Sequence, residues 1–225
     1  MAIDDALEKG SRRTQKQRSH EMRQRLVEAT VQCLDEEGYA NTSVSRIVER
    51  TGVSRGAHLH HFRSKNALMR AVAEEVMRSV FKAAGETALG VQDRAERFPA
   101  LVRFMWRDVM CSREGRVMLE LMHAARLDKD LAKHLRPLML RTIRLYRHAA
   151  KHYFMPASEE AADMDSVLFL VQWTLRGMLF DAPLVRHPEF YDRHLDALIA
   201  LLAPHIRNKD VDAPPTRPAA WDRKE

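Results

Sequence analysis

A chain of 225 residues with 45% hydrophobic and 30% charged content can bury one or two cores, and only 8 glycines argue against a Rossmann-like or all-β design. The net charge of +6 is concentrated at one end: residues 1–70 hold 13 Lys/Arg against 9 Asp/Glu, and the rest hold 24 against 22. His20, His58, His60 and His61 lie in the same first third, and the asymmetry suggests a nucleic-acid partner.

The opening stretch "MAIDDALEKGSRRTQKQ" has acidic and polar groups where a secretory leader has a basic start and an apolar run, so the chain is expected in the cytoplasm. Residues 1–18 read as a flexible basic arm. From Met22, apolar Met22, Leu26, Ala29 and Cys33 recur at i, i+4, i+7 and i+11, one face of a helix from about Ser19 to Glu36. Gly38 supplies the stop, because the position after a helix end often needs positive φ. Thr42 or Ser43 can cap a short second helix with Val44, Ile47 and Val48 inward, ended by Thr51-Gly52. Ser54 caps a third helix reaching about His61, and Ser64 a fourth, with Leu68, Val72, Val76 and Val80 at four-residue spacing.

Residues 90–206 hold four or five further helices, broken near Pro99, Gly115, Asp128–Lys129, Pro156–Ser158 and His187–Pro188. The best apolar window, "VLFLVQWTLRGMLF", is interrupted by Gln172, Thr174, Arg176 and Gly177 and falls short of the about 20 residues a membrane span needs. Cys33 and Cys111 make neither a disulfide framework nor a cysteine metal site. The ending "RNKDVDAPPTRPAAWDRKE", residues 207–225, reads as a flexible tail.

Two short helices joined by a tight glycine turn form a helix-turn-helix, with Val53 in the angle and the second helix offered to the DNA major groove. The run from Gly38 to Leu68 resembles the DNA-binding domain of the Tet repressor (TetR) family of bacterial transcription regulators. The features carrying the resemblance are Gly38-Tyr39, the Thr42-Ser43 pair, the turn Gly52-Val53-Ser54, the ending His61-Phe62 and the Ser64-Lys65 pair. It covers about residues 19–75; the remainder agrees in length and helical content. It implies an all-α fold: a three-helix helix-turn-helix domain (19–65), joined by the fourth helix to a larger helical ligand-binding and dimerisation domain (66–206). One departure stands out. The family usually has a phosphate-reaching tyrosine where this chain has Leu59.

Arg55, Ala57 and His58 stand at the start of the recognition helix, where side chains reach base edges. The resemblance puts His60 and His61 at phosphates, adds the charge of Lys65, and sets Thr42, Ser43 and Ser54 as capping groups beside the DNA backbone. The arm "SRRTQKQR" suits a phosphate backbone or minor groove. His58 and His61 also sit three apart like a metal pair, but no third ligand is near. Glu120 and His123 form one Glu-x-x-His where a di-iron bundle needs two, and His148 and His152 at i, i+4 more commonly mark a solvated face. There is no nucleophile elbow, P-loop, dinucleotide fingerprint or HExxH motif. No enzyme activity, cofactor or metal is expected; a helical metalloenzyme is the distant alternative.

One head reads too few base pairs for genomic specificity, so a homodimer on a double-stranded operator is expected, with half-sites about 34 Å apart. The candidate interface helices are 160–182, with Phe169, Trp173, Met178 and Leu179, and 189–203, with Leu195, Leu198, Ile199 and Leu202. In the family such helices form a four-helix bundle between subunits. Family members also enclose an apolar pocket whose ligand shifts the two heads out of register with DNA. The resemblance assigns Phe104, Met110, Met118, Met122, His123, Tyr146 and Trp173 to it, while Arg176 meets an anionic ligand or a carboxylate such as Asp108 or Asp181. The expectation is a cytoplasmic, homodimeric repressor, nucleoid-associated on DNA and released by a small-molecule effector. The alternative is a DNA-binding regulator with no such inducer, an activator or one that works through a protein partner.

Overall fold

The computed structural model describes residues 15–52 and 61–216. Helix α1 (Gln15–Asn41) buries Leu26, Ala29, Thr30, Cys33 and Leu34 along one face. It is longer than the sequence pattern predicts, because the chain resumes one helical turn after Gly38, whose φ of 73° breaks the axis. Helix α2 (Val44–Thr51) opens at Ser43, whose hydroxyl accepts from the Arg46 N–H at 3.3 Å, and closes at Gly52 with φ 66°. A side chain at either glycine would be forced into a left-handed backbone that only glycine adopts without strain.

Helix α3 (Lys65–Gly90) is capped by Ser64 and spans about 39 Å at 1.5 Å per residue. Its first half belongs to one core and its end, at Ala88, to another. Helix α4 (Arg97–Phe104) runs on into a wider i→i+5 π turn over Met105–Met110, then α5 (Arg113–Ala124) begins at the Ser112 cap. Helix α6 (Lys129–Tyr153) follows the Asp128 cap, α7 spans Met164–Asp181, and α8 (Pro188–Leu202) starts with proline at its first position, where no N–H is needed.

Two cores divide the fold. The first joins Leu26, Ile47, Phe62, Leu68 and Val72 to Val117 and Leu121 of α5 and to Leu131, Leu135 and Leu138 of α6. The second gathers Phe98, Val102, Trp106, Tyr153, Val171, Leu175, Leu195 and Ile199. The residues of the helix-turn-helix head therefore share their apolar interior with α5 and α6 rather than closing a core of their own.

One difference from the expected all-helical path lies after α8. Residues 206–208 form a short strand, β2 (Ile206–Asn208), antiparallel to β1 (Phe154–Pro156) with Phe154 opposite Asn208. The segment expected to leave the body at 207 stays on it through 216: Arg97 donates to the carbonyls of Lys209 and Val211, and Pro215 is buried. Carbonyls satisfied by a buried guanidinium hold a proline-containing segment that its composition alone would leave loose. The arm up to residue 14 and residues 217–225 lie outside the described residues.

Candidate nucleic-acid interface and internal cavity

The recognition residues Ser54, Arg55, Ala57, His58 and His60, together with Val53 and Leu59, lie outside the described residues. Their flanks are well placed. Gly52 ends α2 with its N–H on the Glu49 carbonyl, and Ser64 starts α3 by accepting from the Ala67 N–H at 3.1 Å. Ser43 is exposed as the α2 cap. Thr42, expected beside it at the DNA backbone, is only 1% exposed: its hydroxyl and its N–H both donate to the Gly38 carbonyl, at 2.7 and 3.1 Å. The positive φ of Gly38 turns that carbonyl inward, and Thr42 follows it. The capping task therefore falls to Ser43 alone.

His61 is half-buried. Lys65 is half-buried too; its ammonium donates to the Tyr39 carbonyl at 2.9 Å and sits 3.9 Å above the Tyr39 ring, and burial pulls its pKa below the usual lysine value. One of three donors is thus spent within the chain, leaving two for another acceptor. The arginines of α2 are paired across to α1, Arg46 with Glu37 at 3.2 Å and Arg50 with Glu36 at 2.6 Å. These exposed pairs are worth little in stability and fix mainly the angle between the helices.

Tyr39 is the hub that sequence reading missed. Its N–H donates to Glu120 of α5 at 2.7 Å, and its hydroxyl meets Asn66 at 3.0 Å and Asp128 at 2.5 Å. Asn66 in turn donates to Asp130 at 2.7 Å. Burial first, and then the Asp128 carboxylate, pushes the Tyr39 phenol well above its ordinary pKa, while the N–H of Leu131 and the Tyr39 hydroxyl hold Asp128 below the usual carboxylate range. Arg116 grips Asp35 of α1 through two bonds of 2.9 Å, and Arg113 reaches Glu28 at the same distance. Helix α5 is thereby fastened to the head along its outer side.

Behind α5 lies a chamber of about 230 Å³. It brings together Met110, Met118, Met122, Tyr146, Trp173 and Arg176, six of the residues that the resemblance assigns to a pocket. Phe104 does not line it, and His123 lines a separate groove with Cys111, Arg116 and Glu120. A second, more apolar chamber of about 120 Å³ adjoins the first through the shared residues Val80, Met105, Tyr146, Leu168 and Gln172.

The expected interface residues divide. Leu195 and Leu202 are buried in their own chain's second core, a correction to the sequence expectation, whereas Phe169, Met178 and Leu198 are half-buried. Trp173 stays 62% exposed, stacked on Phe169 at 5.5 Å, and the outward apolar positions also include Leu170, Phe180, Leu184 and, at 70% exposed, Leu201. Glu120 is taken up by Tyr39, and His152 faces the Ala213 carbonyl at 2.8 Å. Among the described residues no group of three or more His, Cys, Asp or Glu could hold a metal, and no helix is long and apolar enough to cross a membrane.

Residues 26–72 match the family model described as bacterial regulatory proteins, tetR family. An uncharacterised HTH-type transcriptional regulator of Mycobacterium tuberculosis is 32% identical over 196 residues, covering 84% of this chain and 97% of that protein. The HTH-type transcriptional regulator BetI of Yersinia pestis is 37% identical over 81 residues, 35% of this chain and 41% of BetI. Among solved structures, a transcriptional regulator from Rhodococcus sp. Rha1 superposes with TM-score 0.65 at 24% identity, over 80% of this chain and 95% of that one. Reduced NemR of E. coli does so with TM-score 0.64 at 18% identity, over 84% and 99%. The match over the head, the relative spanning nearly the whole chain and the shared helical architecture agree: the chain belongs to the TetR family and is a helix-turn-helix DNA-binding transcriptional regulator.

Proposed function

We propose that this protein is a homodimeric repressor that binds a pseudo-palindromic duplex operator and is released by a small-molecule effector in the α5–α6–α7 cavity. The observation that carries the reading is the double engagement of α5. Met118 and Met122, one turn apart, line the chamber, and Glu120 on the opposite side holds the Tyr39 N–H. An effector that displaces the two methionines moves the same helix that anchors the head. Binding shifts the equilibrium only by its preference for one arrangement over the other, so the lever works because both contacts belong to one rigid element.

In this reading Ser43, Ser54, His60, His61 and the free donors of Lys65 meet the phosphates, and Arg55, Ala57 and His58 the base edges. The outward apolar residues of α7 and α8 meet their copies in a second chain, which sets the two heads one helical turn of DNA apart. Such a regulator acts in the cytoplasm, on the nucleoid.

Leu201→Arg combined with Phe180→Arg tests it. Both side chains are exposed in the single chain, so the fold should change by no more than about 0.5 kcal/mol. The expected result by sedimentation is a monomer, with operator affinity about 100-fold weaker as one half-site is lost. A double variant that remains a dimer with unchanged affinity contradicts the reading.

A further inference from the structure

We propose that the effector is an amphipathic monoanion, a carboxylate on an apolar body, whose head is held between α6 and α7 by Arg176, Gln172, Thr142 and Tyr146. The inference rests on the effector reading above and gives it a chemical class.

Among the described residues, Arg176 is the only charged side chain lining either chamber. It is half-buried and makes no hydrogen bond or ion pair with any described residue, so neither Asp108 nor Asp181 neutralises it. Burial depresses its pKa, with Tyr146 the sole group opposing the shift. A guanidinium does not deprotonate in a protein, so an uncompensated cation stands at the cavity wall.

The groups around it repeat one pattern on two facing helices. Gln172 lies one turn before Arg176 on α7, and Thr142 one turn before Tyr146 on α6, so each pair shares a face. Thr142 is 3% exposed and its hydroxyl has no partner. The Tyr146 hydroxyl has only the Met77 sulfur, at 3.7 Å, a weak acceptor. Two hydroxyls, an amide and a guanidinium form a donor-rich set with no carboxylate among them. A buried polar group left unbonded is costly, so the set is complete only when an acceptor arrives.

One positive charge matches one negative charge. A phosphate dianion would leave a net charge buried, and among the described residues no second cation lines the chamber to offset it. The apolar body then passes Tyr146 and Gln172 into the smaller chamber, walled by Phe98, Val102 and Phe154 among others.

Calorimetric titration with decanoate, 1-decanol and decylamine tests the class. Decanoate should bind at least about tenfold tighter than 1-decanol, the usual gain of a charge-assisted hydrogen bond, with decylamine weakest. Arg176→Met should erase the preference, the larger loss falling on decanoate, and Arg176→Lys should keep part of it. The free Arg176→Met protein should melt no lower than the parent, since an unpaired buried cation is removed. Should that variant fail to fold, the three-ligand ranking on the parent protein still decides. Equal binding of decanoate and 1-decanol, a preference that survives Arg176→Met, or no binding by any of the three overturns the proposal. Operator release, followed by fluorescence anisotropy, separates the two readings. Arg176-dependent decanoate binding that leaves DNA bound keeps the ligand class and sinks release; release by 1-decanol as effective as by decanoate keeps release and sinks the anion.

Discussion

Gly115→Ala should destabilise the protein by about 3 kcal/mol, the upper end of what overpacking costs, for the addition of a single methyl group. A Cβ at this position would stand 2.5 Å from the Met110 carbonyl oxygen and closer still to that of Val109. Both obstacles are backbone, and both belong to the π turn that delivers the chain from α4 to α5. A flexible side chain could swing aside; these carbonyls cannot move without shifting α5, and α5 carries both the chamber wall and the anchor of the head. Urea denaturation checks the loss, with Gly90→Ala as control: nothing lies within 4 Å of a Cβ there. The control should stay within about 0.5 kcal/mol of the parent. If Gly115→Ala were equally mild, the close approach of α5 to the π turn would be wrong.

Arg97→Met should lower stability by a similar amount, about 3 kcal/mol, and free the chain after α8. Arg97 is 2% exposed. Its guanidinium donates to the carbonyls of Ala88 at 2.9 Å, Lys209 at 3.0 Å and Val211 at 3.2 Å, and lies 5.6 Å from the centre of the Tyr153 ring. Methionine fills much of the volume but supplies no donor, so three carbonyls lose charged hydrogen bonds, each worth about 1.5–3 kcal/mol before water returns to some of them. Hydrogen exchange should show the amides of residues 206–211 exchanging at least tenfold faster. Neighbouring Arg94 pairs with Asp210 and Asp212 at the exposed surface, and Arg94→Ala should change stability by only about 0.5 kcal/mol. Burial, rather than the number of charges, sets the difference.

The punctuation of the chain was legible because each mark is local chemistry. Gly38 and Gly52 take positive φ, Ser43, Ser64 and Asp128 accept from backbone N–H groups at helix starts, and Pro188 opens α8. The cavity residues were named through the family resemblance rather than through any local pattern, and Met118, Met122, Tyr146 and Arg176 do line one chamber. Periodicity says which residues share a face and not what the face meets. Leu195 and Leu202 belong to a stripe that the chain's own second core consumes, while Leu201, one position away, points outward. The Tyr39 hub joins residues 81 and 89 positions apart through single hydrogen bonds, and no local pattern announces such a meeting. The course of residues 207–216 was hidden for the same reason: the group that holds them, Arg97, is more than 110 positions away.

The central claim, two copies of this chain reading one duplex, is tested most directly by selecting bound DNA from a random pool and weighing the resulting complex. The account predicts a symmetric consensus, its halves about one helical turn apart, occupied by two chains per site or a multiple of two. An asymmetric or absent consensus, or one chain alone on its preferred sequence, would contradict it.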